Sequence, residues 1–174
     1  MMDENVYNAA KFGAPTARWR YLLRAVKDGV LPEPVPQDGP GWYSTVADLI
    51  ETLPDDSIAR AQYIYRSLRE QGVDPNNVTE PLLVSGTTLF KKVAFARPDQ
   101  PAFTFKATPA TVDRILLPGG RVKRVTARAK ARMTGIPDDY PLPKDEKTAL
   151  TIIGNGVPPA LVRNVFGPVI EANK

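Results

Sequence analysis

Residues 120–143 read GRVKRVTARAKARMTGIPDDYPLP, and after a polar spacer residues 152–162 read IIGNGVPPALV. The first stretch carries basic residues at 121, 123, 124, 128, 130 and 132. Residues 121–126 alternate in polarity and predict a strand that leads into a helix over residues 127–134. Thr126 is placed to cap that helix, because its hydroxyl can accept from a free N–H of the first turn. Helical spacing sets Arg128 and Arg132 on one face, at i and i+4, which Lys130 does not share. Gly135-Ile136-Pro137-Asp138-Asp139-Tyr140 then closes the helix in a turn. In the second stretch, residues 150–153 predict a short apolar strand or turn, and Asn155-Gly156 predicts a turn needing positive φ. Pro158 suits the first position of a last helix. That helix would bury Leu161, Val162, Val165, Phe166, Val169 and Ile170, with Pro168 as a place for a kink.

Outward from this stretch, the N-terminal segment predicts a strand at residues 6–8, a Gly13/Pro15 turn and a continuous apolar strand at residues 21–26, an antiparallel pair. Alternation puts Arg18 and Arg20 on one face and Trp19 on the other. Residues 30–41 hold four prolines and predict an extended linker. A short helix follows from Ser44 or Thr45, with Val46, Leu49, Ile50 and Leu53 as its apolar stripe. Another starts near Asp56 or Ser57 and ends at Gly72, burying Ile58, Ala61, Ile64, Tyr65 and Leu68. Its Arg60, Arg66 and Arg69 read as solvated charges. Short strands are expected at residues 81–86, 102–106 and 114–117, the second with Phe103 and Phe105 on one face.

The chain has 174 residues, 43% of them hydrophobic, enough for a packed core. Proline, at 18 residues, is about twice its usual ~5% share, which favours short elements and irregular chain. No stretch has the length and apolarity of a membrane span, and a cytoplasmic protein is expected. There is no Cys and no His. Disulfides, thiolate nucleophiles, Cys/His zinc sites and imidazole bases are therefore excluded within these residues. Net charge is +4, unevenly spread. Residues 86–132 hold eleven Lys/Arg against two acids, a balance of +9, while the rest holds twelve against seventeen, a balance of −5. A phosphate-facing lobe on an acidic scaffold has this asymmetry, and so does a solvated basic face with no polyanion partner.

Three blocks of this sequence, in order, resemble the DNA (cytosine-5)-methyltransferases. The family's Thr-x-Arg-x-x-x-Arg-x-x-Gly-Phe-Pro-like block is matched by Thr126, Arg128, Arg132, Gly135 and Pro137. Its Ile-Gly-Asn-x-Val-Pro block is matched by Ile153, Gly154, Asn155, Val157 and Pro158. Its Asn-Ala-x-x-Tyr-Gly-Val-Pro-Gln-x-Arg-x-Arg block is matched by Asn8, Ala9, Gly13, Pro15, Arg18 and Arg20. This chain has Thr16 where Gln is usual, Ala129 for Glu, Thr134 for Gln and Ile136 for Phe. The resemblance implies a mixed fold, α+β or partial α/β. It would comprise edge strands and the C-terminal helix of a Rossmann-like methyltransferase sheet, plus a small, irregular, β-rich target-recognition lobe. It divides the chain into a strand pair and connecting segment (1–53), the recognition domain (54–118), and a hinge with the return to the catalytic domain (119–174).

The resemblance also implies roles. Arg20 would reach the flipped cytosine and the catalytic Glu, and Arg18 a backbone phosphate or the loop. Thr88-Leu89 would be the base-reading pair, with Lys91, Lys92, Arg121, Lys123 and Arg128 as further DNA contacts. Asn155 and Val157 would help wall the S-adenosylmethionine pocket. Of the family's Gly-rich loop, Pro-Cys nucleophile and Glu-Asn-Val acid block, the first two do not occur here, and the third occurs only as the tripeptide Glu4-Asn5-Val6, just before the Asn8-Ala9 block and not as a separate block upstream of it. The resemblance thus covers nearly all of this chain but only the C-terminal half of the enzyme. It implies one subunit of a split methyltransferase, whose partner chain carries those three motifs and shares the cofactor, acting on double-stranded DNA and inactive alone. Two other readings are a catalytically inactive DNA-binding or regulatory remnant of such an enzyme, and an interaction protein whose basic lobe meets an acidic surface.

Overall fold

The computed structural model describes residues 1–87, 92–107 and 111–174, with the side chains of Thr87, Thr111 and Val112 outside the description. The architecture is mixed α and β with two small antiparallel sheets. The first is a hairpin of β1 (Met2–Asn8) and β2 (Trp19–Ala25), in register from Met2 opposite Ala25 to Asn8 opposite Trp19. Both strands are longer than the sequence suggests, so Arg20 lies inside β2. The turn between them needs a positive φ at Gly13.

The second sheet orders its strands β4-β3-β5-β6, from β3 (Leu82–Thr87), β4 (Ala94–Ala96), β5 (Thr111–Leu116) and β6 (Val122–Arg124). Strand alternation sends Leu82, Val84 and Leu116 to one face, where they pack with Ile64 and Leu68 of α1 (Ile58–Arg69). Leu83 and Ile115 go to the other face. They meet Trp42, Val46, Ile50, Leu53, Phe105 and the buried side of α2 (Ala127–Met133). Each fully buried aliphatic side chain contributes about 1.5–3 kcal/mol, so covering both faces makes this lobe a packed unit. Thr126 caps α2 as expected, its hydroxyl accepting from Ala129 N at 3.3 Å.

Several expectations are corrected. The helix expected from residue 44 is two 3₁₀ turns at Tyr43–Thr45 and Ala47–Thr52, although Val46, Ile50 and Leu53 are buried. Ile58 is 78% exposed. It stands six residues before Ile64, about a third of a turn off the buried stripe. Residues 102–106 form no strand, because their backbone bonds instead to the chain before β2. Residues 150–153 lie within α3 (Glu146–Asn155). Asp145 caps that helix by accepting from Thr148 N at 2.8 Å, and Ala149 and Ile153, four apart, bury one side. Gly156 has a φ of −62°, so the positive-φ turn expected there does not form.

The last helix, α4 (Pro159–Ala172), starts one residue later than expected and runs on through Pro168. Its buried residues are Leu161 and Val165, packed on Tyr7, Ala9, Phe12 and Ala14, whereas Val162 and Ile170 are exposed. The outer face of the hairpin has no such cover. Val6 is 51%, Trp19 61% and Tyr21 59% exposed, and Met2 and Leu23 share that face.

Candidate functional site

The Arg-x-Arg block and the Ile-Gly-Asn block, some 135 residues apart in sequence, meet in space. The last four carbonyls of a helix lack intrahelical partners. At the end of α3, those of Ile152, Ile153 and Gly154 are met. Gly156 N donates to Ile152 O at 2.9 Å. Arg18 Nη1 donates to Ile153 O at 3.1 Å, and Arg18 Nη2 to Gly154 O. Arg20 Nη2 then donates to Gly156 O at 3.0 Å, past the helix end. A cation here also suits the negative end of the α3 dipole.

Arg18 is 1% exposed, and its Nε has no hydrogen-bond partner. Burial, and after it the neighbouring charge of Arg20, pull its pKa down to about 10. Burial lowers Arg20 too. Among the described residues no carboxylate pairs with either guanidinium; their bonds go to backbone carbonyls. Arg24, further along the same strand, differs: it is buried but held by Asp3, which stands opposite it in register.

A third segment completes the junction. Thr16 Oγ1 donates to Ala102 O and Phe103 O, Ala17 N donates to Ala102 O at 2.8 Å, and Thr104 Oγ1 donates to Ala17 O at 2.6 Å. This segment runs so close to α3 that a Cβ on Gly154 would lie 2.4 Å from both N and Cα of Ala107. Only glycine fits at that approach. Asn155 and Val157 project from the turn held by these bonds, and both are exposed. Two exposed side chains on one turn can line one wall of a pocket but cannot enclose a ligand.

The basic stretch is used differently from what its charge suggests. Lys123 is buried, donating to Leu53 O at 3.0 Å and pairing with Asp55 at 2.9 Å. It stands opposite Ile115 on the covered face of the sheet and cannot reach a phosphate in this arrangement. Arg121 is exposed, but both of its Nη atoms are on Glu51, at 3.1 and 3.2 Å. Arg128 donates to Pro137 O and Tyr140 O, across the turn that follows α2. Arg132 grips Asp48 at 2.6 and 2.8 Å and also holds Asp138. Hydrogen bonds from Arg132 hold both carboxyls below the usual carboxylate range.

Lys130 is buried 2.5 Å from Asp113, which also accepts from Ser85 Oγ at 2.7 Å. Of the two acids in the +9 stretch, Asp113 is the buried one, and this scarcity is the only sequence signal that could have singled it out. Asp48 carried no such signal. Lys92 is exposed; Thr88, Leu89 and Lys91 lie outside the described residues. Among the described residues no helix is long and apolar enough to cross a membrane.

The protein-family model described as C-5 cytosine-specific DNA methylase matches residues 2–171. The type II methyltransferase M.XorII of Xanthomonas oryzae pv. oryzae is 28% identical, over 98% of this chain and 50% of its own length. The type II methyltransferase M.AplI of Arthrospira platensis is 42% identical over 52 residues, 30% of this chain and 15% of its own length. The chain spans half or less of the length of these relatives. It belongs to the C-5 cytosine-specific DNA methylase family.

Proposed function

With that membership as premise, we propose that these residues are the target-recognition and cofactor-wall part of an S-adenosylmethionine-dependent DNA (cytosine-5)-methyltransferase, working with a second chain. The observation that carries this reading is the Arg18–Arg20 pair, two adjacent guanidiniums with no carboxylate among the described residues. Two like charges drawn from water cost free energy unless an anion offsets them. The acid of a Glu-Asn-Val block, carried by the partner, is the group that would do so.

The reaction sets the division of labour. The target base must leave the duplex stack to be reached. A thiolate must add to carbon 6 so that carbon 5 becomes nucleophilic. No cysteine occurs in these 174 residues, so the thiolate comes from outside them. S-adenosylmethionine supplies the methyl group. Arg20 places a fixed positive charge at the base oxygen, a donor that needs no reorganisation as charge develops. Asn155 and Val157 line one side of the cofactor pocket, and the partner supplies the rest. Contacts to double-stranded DNA fall to the β3–β4 connection, where the sequence carries Thr88, Leu89, Lys91 and Lys92. Arg121 and Arg128 border the lobe and act through the segments they hold. The bare outer face of β1 and β2 is a surface that a larger sheet with its helices would cover.

The test is reconstitution. This chain is co-expressed with a chain carrying the Gly-rich loop, Pro-Cys and Glu-Asn-Val motifs, and transfer of labelled methyl to DNA cytosine is measured. Activity is expected only from the pair, and Arg20→Ala should lower it by about 10²-fold or more. Methyl transfer by the 174 residues alone, or full activity of the Arg20→Ala pair, overturns the proposal.

A further inference from the structure

We propose that Arg18 is a positioning residue that clamps the cofactor-side turn to the base-side strand, so that one buried guanidinium sets the cofactor wall. The inference rests on the function proposed above and deepens it. It stands on three observations at one place. Arg18 reaches two successive carbonyls, Ile153 O and Gly154 O, at the end of α3, and the turn bearing Asn155 and Val157 begins there. Gly154 is pressed against the Ala107 backbone, so the helix end cannot move toward the 102–107 segment. That segment is in turn bonded to Thr16 and Ala17, immediately before Arg18. The helix end is thus gripped from two sides, and Arg20 extends the grip to Gly156 O.

The chemistry of the clamp is specific to arginine. A planar guanidinium offers parallel donors in a fixed fork, which matches two neighbouring carbonyls; a lysine ammonium is a point charge. The buried charge is a cost that a surface residue would not bear, and the junction keeps it in place. Arg18 touches neither substrate nor cofactor in this role. Its effect should therefore appear in cofactor binding and not in the chemical step.

The experiment uses the reconstituted enzyme, with Arg18→Met, Arg18→Lys and Thr104→Val. Arg18→Met should raise KM for S-adenosylmethionine about tenfold, the size that a lost charge-assisted hydrogen bond supports. The kcat at saturating cofactor should change by less than about threefold, the pattern of lost uniform binding. Arg18→Lys should fall between wild type and Arg18→Met. Backbone amides of residues 154–157 should exchange hydrogen faster in the same order. Thr104→Val removes the bond to Ala17 O without touching a guanidinium and should raise the same KM by about twofold. It keeps the test decisive if Arg18→Met does not fold. An unchanged KM in any folded variant, or a kcat loss in Arg18→Met with KM unaltered, overturns the clamp. A wild-type pair that transfers no methyl group overturns instead the function on which it rests.

Discussion

The two sheets of this molecule treat charge and apolar surface in opposite ways. In the four-stranded lobe every face of the sheet is covered, by α1 on one side and by α2 with the Trp42–Leu53 segment on the other. Four of its cations are matched with acids: Lys130 with Asp113, Lys123 with Asp55, Arg114 with Asp56, Arg121 with Glu51. The hairpin leaves one whole face to solvent, and its Arg18 and Arg20 meet only carbonyls. A lobe of the first kind is finished by its own sequence. A hairpin of the second kind holds apolar area and positive charge in reserve for something that brings both cover and an anion.

Four measurements can break or sharpen that contrast. The largest effect is expected inside the lobe. Asp113→Ala leaves the buried Lys130 ammonium without its counter-ion and should destabilise the chain by about 3–5 kcal/mol, read by urea unfolding. The double change Lys130→Met, Asp113→Leu should recover most of that loss. An Asp113→Ala variant as stable as wild type would remove the lobe's claim to be internally balanced.

In the hairpin, Arg20→Ala should cost about 10²-fold or more in methyl transfer by the reconstituted pair, equivalent to about 2.7 kcal/mol of barrier. Its melting temperature should stay close to that of wild type. Trp19→Ser on the outer face should leave unfolding within about 0.5 kcal/mol of wild type. It should weaken association with the catalytic chain by about tenfold or more, measured by titration calorimetry. A loss of intrinsic stability with no loss of association would mean that this face is not an interface.

The smallest effect lies at the end of α2, where Arg132 holds two carboxylates. Hydrogen bonds from Arg132 hold the carboxyls of Asp48 and Asp138 below their ordinary range. Their contribution to stability is therefore complete above the unfolded-state carboxylate pKa and is lost as pH falls through the lower folded-state values. Between about pH 5 and pH 2 the wild type should lose more melting temperature than Asp48→Asn, and high salt should narrow the gap because the pair is exposed. Equal acid sensitivity of the two would show that the Arg132 grip adds nothing.

Local chemistry was the part of the fold legible in the sequence. The Thr126 cap and the Val46/Ile50/Leu53 stripe depend on neighbours within a few residues, and the N-terminal strands pair across a single connection, from Asn8 opposite Trp19 to Met2 opposite Ala25. Errors arose where distant chain competes for the same groups. Residues 102–106 alternate like a strand, yet Thr16 and Ala17 take up their carbonyls, so no ladder forms. Residues 150–153 look like a short apolar strand, but the Asp145 cap and the burial of Ala149 and Ile153 make them helix. The candidate site divides in the same way. Arg18, Arg20, Asn155 and Val157 could be read as candidates from two of the three blocks. That Arg18 ends on the Gly154 carbonyl could not, because no local pattern encodes a contact across about 135 residues.

The amino-acid sequence by itself determined which chemistry these residues can take part in. Without cysteine or histidine there is no thiolate or imidazole, and three motifs place the chain in its family. Only the tertiary structure decided which charges are free to act. A run of +9 looks like a phosphate-binding surface until Asp48, Glu51, Asp55 and Asp56 fold back onto it and Asp113 pairs within it. The physical reason is that net charge is a sum over sequence, whereas availability depends on which opposite charge lies within about 4 Å after folding.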